Sequence, residues 1–426
     1  MHLRSVVLPV LTLICFSSQA AESLNHEQKL GEHLFKDANL SLNRNQSCAT
    51  CHSLNPANGG APAPGFVDPD NVNNGSAVSA GSIANVRGAL NAPSLGYAAF
   101  SPAFYWNKKE GLYMGGQFWN GRARGLKEQA REPFLNPREM AMPDISAVAG
   151  RIKEGGKYHK LFWDAYKVNL DNTKVESFPD TGKKPADDEK IFALAARAIA
   201  EFEKTTVFNK FNSKFDYVLA GKTTFTAKEE EGLQLFNGKA QCSACHISEA
   251  TPFKSEGTHN KKGKIMPPLF TDFTYDNIGL PRNVAIPDDP DRGLGGRADI
   301  AANDPDGNEL GKHKVMTLRN IALTPPYGHN GVLVSLKQVV HFYNTRDTLG
   351  ELFTDNTDTI NFGVTGWTLP EIQQNVNVDE LGDLKLTSEE EDAIVAFMET
   401  LTDDYPIWGN DPNVPVNSPR PFSISP

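Results

Sequence analysis

Two five-residue stretches constrain this chain more than anything else in it: Cys48-Ala49-Thr50-Cys51-His52 and Cys242-Ser243-Ala244-Cys245-His246. Each is a C-x-x-C-H pentad, the attachment pattern of a c-type haem. Two thiols at this spacing stand on one side of a helical turn, where they can form thioethers with the two vinyl groups of one porphyrin. The residue after the second thiol is then held under the iron and offers an imidazole nitrogen as proximal ligand. His52 and His246 occupy those positions. A structural zinc site built from the four cysteines would need both pairs to converge and would leave both histidines without a task. Two covalently bound haems account for all six residues.

The N-terminus agrees with this chemistry. Arg4, an apolar run from Val6 to Phe16, and Ser18-Gln19-Ala20 form the pattern of a secretory signal peptide over residues 1–20, cleaved after Ala20. The run is too short to span a bilayer as a mature helix. Cys15 lies inside it and would be lost; Leu13-Ile14 before it are too bulky for a lipoprotein signal. The mature chain then keeps four cysteines, all in the pentads, so no disulfide is expected although an exported compartment permits one. Export to the periplasm fits haem attachment outside the cytoplasm. A net charge of −10 over 426 residues argues against nucleic-acid binding and leaves no polybasic patch for anionic lipid. No later segment is long and apolar enough for a transmembrane helix.

The chain repeats itself. His26–Asp37 reads as an amphipathic helix ahead of the first pentad, and Thr226–Gly238 reads the same way ahead of the second. Both carry Gly-x-x-Leu-Phe, at Gly31, Leu34, Phe35 and at Gly232, Leu235, Phe236. Candidate closing helices follow at Asp188–Thr205 and Thr387–Leu401, with apolar residues at helical spacing; the second opens on a cap with acidic first-turn residues. Long irregular stretches lie between: Asn55–Asn74, Asn172–Lys184 and Pro281–Glu309. The expected fold is mostly α, with little β-structure and two cytochrome-c-like haem domains. Their expected bounds are 21–207 and 208–410, followed by an irregular Pro-rich tail over 411–426.

Further motifs carry a family resemblance. QFWNGRA (Gln117–Ala123), EQAREP (Glu128–Pro133), NPREM (Asn136–Met140) and TLRNIALTPPYGHNG (Thr317–Gly331), together with the two pentads, resemble the bacterial di-haem cytochrome c peroxidases and their MauG-type relatives. The resemblance implies roles residue by residue. Trp119 sits between the haems and relays electrons. Gln129 and Pro133 lie on the distal side of the first haem. Glu139 is the distal acid–base, moving a proton from the inner to the outer oxygen of peroxide. Without the motif, Glu139 would read as a helix-start residue and Trp119 as a core aromatic.

One departure from the peroxidase pattern matters. Members that need reductive activation have a distal histidine in the loop after the first pentad; here no His occurs between His52 and His159. The first haem is therefore expected to be open to peroxide. The resemblance places the sixth ligand of the second haem at Tyr343, fourteen residues after His329. Ordinary peroxidases have Met there and MauG-type proteins have Tyr, a hard anionic donor that favours high-valent iron. Met316 is the competing ligand, with His313 and His341 weaker competitors. The resemblance also implies one Ca2+ between the domains, held by oxygens of Asn91, Thr324 and Pro326.

The expected function is a peroxide-dependent di-haem oxidoreductase of the MauG-like kind. It would reduce hydrogen peroxide at the first haem and oxidise a protein electron donor or protein substrate by long-range electron transfer. An ordinary di-haem cytochrome c peroxidase fed by a small cytochrome or copper protein is one alternative. A non-enzymatic di-haem electron carrier is the other; it predicts two fully ligated haems and no reaction with peroxide.

Overall fold

The computed structural model describes residues 23–56, 60–171, 186–252, 265–288, 290–353 and 361–426. The signal-peptide stretch 1–20, with Cys15, and the polar stretch 172–184 lie outside the described residues.

Five helices set the frame. α1 (His26–Phe35) precedes the first pentad and packs on α2 (Asp188–Glu203). α3 (Ala227–Asn237) precedes the second pentad and packs on α5 (Ser388–Glu399), with α4 (Leu336–Thr345) beside α5. Local chemistry starts each of the repeated pair in the same way. Asn25 caps α1 and Thr226 caps α3, each in a reciprocal box with the residue three positions on, Gln28 or Glu229. Thr387 and Glu390 form the same box at α5. The pentads differ: Cys48–Cys51 is one α-helical turn, whereas Cys242–Ala244 is a 3-10 turn.

The shared Gly-x-x-Leu-Phe has a steric cause. Leu34 and Phe35 point into the core, and Phe236 does so in the second half. A Cβ on Gly31 would collide with the Ala198 carbonyl of α2, and one on Gly232 with the Ala393 carbonyl of α5. The glycines let each helix pair cross at backbone contact. Phe202 and Phe397, one turn further along, close over the crossings. Gly232→Ala gains about 1 kcal/mol of helix propensity, but it must push two helices apart, and overpacking costs about 1–3 kcal/mol. The clash is with backbone and has no rotamer to relieve it, so net destabilisation is expected, read as a lower urea midpoint at unchanged m-value. A stabilised variant would overturn the close-crossing account.

Two main hydrophobic clusters result. One gathers Leu30 through Phe208; the other gathers Phe215 through Leu401. Between them lies a buried polar knot. Arg319, from the TLRN motif, is 1% exposed; it donates to Asp216 at 2.7 Å and to the Pro268 carbonyl, and stands over the rings of Tyr97 and Phe211. Tyr97 in turn donates to Asp403 at 2.8 Å. Removing one member of such a fully buried pair strands the other's charge.

β-structure among the described residues is confined to three two-stranded antiparallel pairs and isolated bridges. Two of the pairs matter below: β1 (Tyr105–Asn107) with β2 (Leu112–Met114), and β3 (Tyr275–Asp276) with β4 (His313–Lys314). Residues 411–426 are irregular, yet Val414 and Ile424 are buried against Tyr405 and Tyr97 respectively. No helix among the described residues is long and apolar enough to cross a membrane.

Candidate functional site

Each pentad histidine has its Nδ1 held by a backbone carbonyl. His52 Nδ1 lies 3.1 Å from the Phe66 oxygen, and His246 Nδ1 lies 2.8 Å from the Phe270 oxygen. A carbonyl only accepts, so Nδ1 is the donor and Nε2 keeps its lone pair. Phe66 and Phe270 both sit at positive φ, 57° and 54°. Such backbone is costly for an aromatic residue and persists where the surroundings over-determine it. Burial lowers both imidazoles, His52 to about 4, so both rings are neutral. The four cysteines form no disulfide. Burial first, then nearby carboxylates for Cys51 and Cys245, pushes their thiols and that of Cys242 up to about 12.

Two cavities adjoin these histidines. The first, roughly 1100 Å3 with its mouth, is lined by His52, Asn91, Trp119, Gln129, Thr324 and Pro326. The second, roughly 1450 Å3 with its mouth, is lined by Cys242, Cys245, His246, Met316 and Tyr343. Both are walled mainly by apolar surface, as a porphyrin face requires. A neutral imidazole and both pentad thiols line the second cavity, which fits a haem; at the first, His52 lines the cavity and the adjacent Cys48 and Cys51 do not. One further atom waits for a partner in the first: Gln129 Oε1 is buried without a hydrogen bond.

Trp119, Lys314 and Met316 line both cavities. Trp119 is fixed by Nε1, which donates to the Asn91 carbonyl at 2.9 Å, and by its own carbonyl, which accepts from Lys314 N at 2.8 Å. Lys314 is buried, and burial alone lowers its ammonium to about 7. Its Nζ donates to Ser101 Oγ at 2.6 Å and to the Gly116 carbonyl.

Glu139 is not among the residues lining the first cavity. It lies close enough to Cys48 and Cys51 for its charge to raise both thiols. Burial raises the Glu139 carboxyl itself, against the opposing pull of Arg122 and of the Asn136 amide, which donates to Oε1 at 2.6 Å. Pro133 begins the short helix Glu132–Leu135, and its carbonyl accepts from Met140 N, tying the EQAREP and NPREM motifs together.

Two loops reveal a second internal correspondence. Gln117 bridges Ala123, and Tyr327 bridges Leu333, so each loop closes on itself over the same span. Trp119-Asn120-Gly121 in one stands where His329-Asn330-Gly331 stands in the other, and the two rings meet edge to face at 6.3 Å. Fourteen residues after Trp119 comes Pro133; fourteen after His329 comes Tyr343. The position that presents a phenol to the second cavity is thus occupied in the first half by a proline, which has no donor atom for iron and is not among the residues lining the first cavity. Only Asn-Gly is shared between the loops, too little to mark the repeat in the sequence.

The competing ligands are placed as follows. The Met316 backbone hydrogen-bonds the His246 ring. His313 lines the second cavity, but its Nε2 is 2.8 Å from Asp291 and its Nδ1 2.9 Å from the Gly311 carbonyl. It stacks on His329 at 3.6 Å, and His329 bonds Glu371 at 2.9 Å. His341 is bonded to Glu391 at 2.8 Å and does not line the cavity. The sequence singled out His313 and His329 for other reasons; nothing in it marked their stacking or their carboxylates Asp291 and Glu371. Asn91, Thr324 and Pro326 all line the first cavity; the Asn91 amide nitrogen donates to the Ala77 carbonyl, which leaves Oδ1 as the acceptor atom.

Comparison with known proteins points to one family. Residues 25–224 match the model of the di-haem cytochrome c peroxidase family. The methylamine utilization protein MauG of Paracoccus denitrificans is 39% identical over 383 residues, covering 88% of each chain. The cytochrome c551 peroxidase of Nitrosomonas europaea is 29% identical over 401 residues, 93% of this chain and 85% of that one. Among solved structures, the diheme peroxidase BthA of Burkholderia thailandensis superposes with a TM-score of 0.66 at 27% identity, covering 89% of this chain and 86% of that one. Paired haem-type pentads, two cavities of porphyrin size and these relatives lead to one conclusion: the chain belongs to the di-haem cytochrome c peroxidase family and is a peroxidase with two haem cofactors and hydrogen peroxide as its oxidant.

Proposed function

We propose that this chain is an exported, periplasmic MauG-like oxidoreductase that uses peroxide to oxidise a protein partner by long-range electron transfer. The haems are covalently bound, one at Cys48, Cys51 and His52 in a domain over 21–207, the other at Cys242, Cys245 and His246 in a domain over 208–410. The observation that carries this reading is the Pro133–Tyr343 correspondence: equivalent positions hold a proline, with no donor atom for iron, and a tyrosine whose phenol would serve as a ligand to the second iron. The lack of any His between His52 and His159 supports the open site. For Tyr343 over Met316, the support is that Tyr343 lines the second cavity but not the first, whereas Met316 lines both and its backbone touches the His246 ring.

When bound, the first haem supplies the iron at which peroxide is reduced. Glu139 takes the proton of the inner peroxide oxygen and returns it to the outer one. Gln129 Oε1 accepts a hydrogen bond from the bound peroxide and holds it in line. Trp119, lining both cavities, relays the oxidising equivalent. Its Nε1–H is given to a carbonyl rather than to a base, so the indole carries a hole while keeping its proton. Asn91 Oδ1 with the carbonyls of Thr324 and Pro326 form a hard oxygen set suited to Ca2+.

A resting EPR spectrum and a peroxide titration without prior reduction test the proposal. The expected result is one high-spin and one low-spin haem, with peroxide consumed at once. A requirement for prior one-electron reduction would point to an ordinary cytochrome c peroxidase, as several relatives are named. Two low-spin haems inert to peroxide would reject the proposal.

A further inference from the structure

A protein-sized donor need not enter either haem cavity, because an aromatic series runs from beside the Trp119 backbone to the surface. Tyr275 of β3 pairs with Lys314 of β4, whose backbone N–H donates to the Trp119 carbonyl at 2.8 Å. Tyr275 Oη lies against Gly121, two residues beyond Trp119, where a Cβ would collide with it. From Tyr275 the rings continue outward: Phe104 at 6.0 Å, Tyr113 stacked on Phe104 at 5.3 Å and 7°, and Trp106 edge-on to Tyr113 at 4.7 Å. Trp106, on the β1–β2 hairpin, is 44% exposed.

We propose that Trp106 is a surface oxidation site, joined to Trp119 through Tyr275, Phe104 and Tyr113, at which a protein-borne tyrosine or tryptophan gives up one electron. The site rests on the reading of Trp119 as the relay between the haems and names where the hole leaves the protein.

The ends of the series suit this use. An indole can lose an electron without losing its proton, and a water-facing ring has its cation solvated. Tyr113 feels Glu309 and Asp299, which, after burial, hold its phenol above the usual range. The same negative field favours a positive charge at the outer end. Arg297 stands 4.2 Å over Phe104 and disfavours charge there. Phe104 therefore serves as a contact between stopping points and not as one itself. Tyr275 donates to the Gly115 carbonyl, so its phenol has no base to take its proton, and it too acts as a bridge.

The electrons balance. A hole arriving at Trp106 is its one-electron oxidation. A donor phenol returns that electron and releases its proton to water, leaving a phenoxyl radical. Two such events supply the two electrons, and two protons from solvent complete the conversion of one peroxide, with its O–O bond broken, to two waters.

The holoprotein is treated with peroxide in the absence of donor, and its peptides are mapped by mass spectrometry. Oxygen adducts are expected at Trp106 and are expected to disappear in Trp119→Phe and in Phe104→Leu. Adducts at equal yield in Trp119→Phe would show a diffusing oxidant and overturn the site, as would an unmodified Trp106 in protein that consumes peroxide. Protein that consumes no peroxide rejects the proposed function instead, which separates the two failures. With a tyrosine-containing peptide as donor, the exposed substitution Trp106→Phe is expected to slow dityrosine formation by about tenfold or more. A rate within about twofold of the parent would also overturn the site.

Discussion

Glu139→Gln is expected to slow the reaction with peroxide by about 10²–10⁴-fold, the usual worth of a positioned acid–base group, while both haems stay attached. The substitution keeps the size of the side chain and its bond to Asn136, which now holds Oε1 at 2.6 Å. What it removes is the capacity to take a proton and give it back. The pH dependence follows from the same environment. Burial, the largest influence, lifts the carboxyl above its ordinary value; Arg122 and Asn136 offset part of that rise. The unprotonated carboxylate is the base. The parent rate should therefore fall as pH drops through an ionisation above the ordinary Glu value of about 4.3. In the variant that limb should vanish, leaving a slow, flat profile. Stopped-flow traces at several pH values measure both effects. An unchanged rate, or a limb that survives the substitution, would remove Glu139 from the proton transfer and leave its contact with Asn136 as its whole purpose.

What could be read in advance depended on whether the signal was local. The cap at Thr387–Glu390 announces a helix start within four residues, and the structure starts a helix there; Asn25–Gln28 and Thr226–Glu229 open α1 and α3 by the same local chemistry. The pentads are equally local. Gly31 and Gly232 were visible as a repeated pattern, but their reason was not, because it lies in carbonyls of Ala198 and Ala393 more than 160 residues away in each case. Arg319 stood inside a recognisable motif, yet its burial against Asp216 and the rings of Tyr97 and Phe211 is a property of the seam between the two clusters. The Trp119 and His329 loops share only Asn-Gly; backbone closure at Gln117–Ala123 and Tyr327–Leu333 makes them equivalent. Glu139 shows the opposite limit. The motif named it, but the structure sets it beside the pentad thiols and outside the lining of the first cavity.

Tyr343→Phe is expected to leave the first haem's spectrum as it is and to convert the second from low-spin to high-spin. Tyr343 sits in the last turn of α4 and faces the cavity shared with His246. Burial holds its phenol far above the usual range, with the neighbouring Cys245 and Cys242 adding to the effect. A phenolate in that setting is unfavourable unless a cation stands against it, and ferric iron is such a cation. A Tyr343–iron bond would thus favour the oxidised metal. Removing it should raise the second haem's reduction potential by a sizeable part of the roughly 0.8 V that axial ligands span. Spectroelectrochemistry reads the shift for each haem separately. Met316→Leu is the discriminating partner experiment. Met316 borders both cavities, so as a ligand its loss would reproduce the Tyr343→Phe spectrum, whereas as a wall residue its loss should leave the second haem low-spin. If Met316→Leu gives the high-spin haem and Tyr343→Phe does not, the second iron has a thioether ligand. The asymmetry between Pro133 and Tyr343 would then no longer distinguish this chain from an ordinary peroxidase.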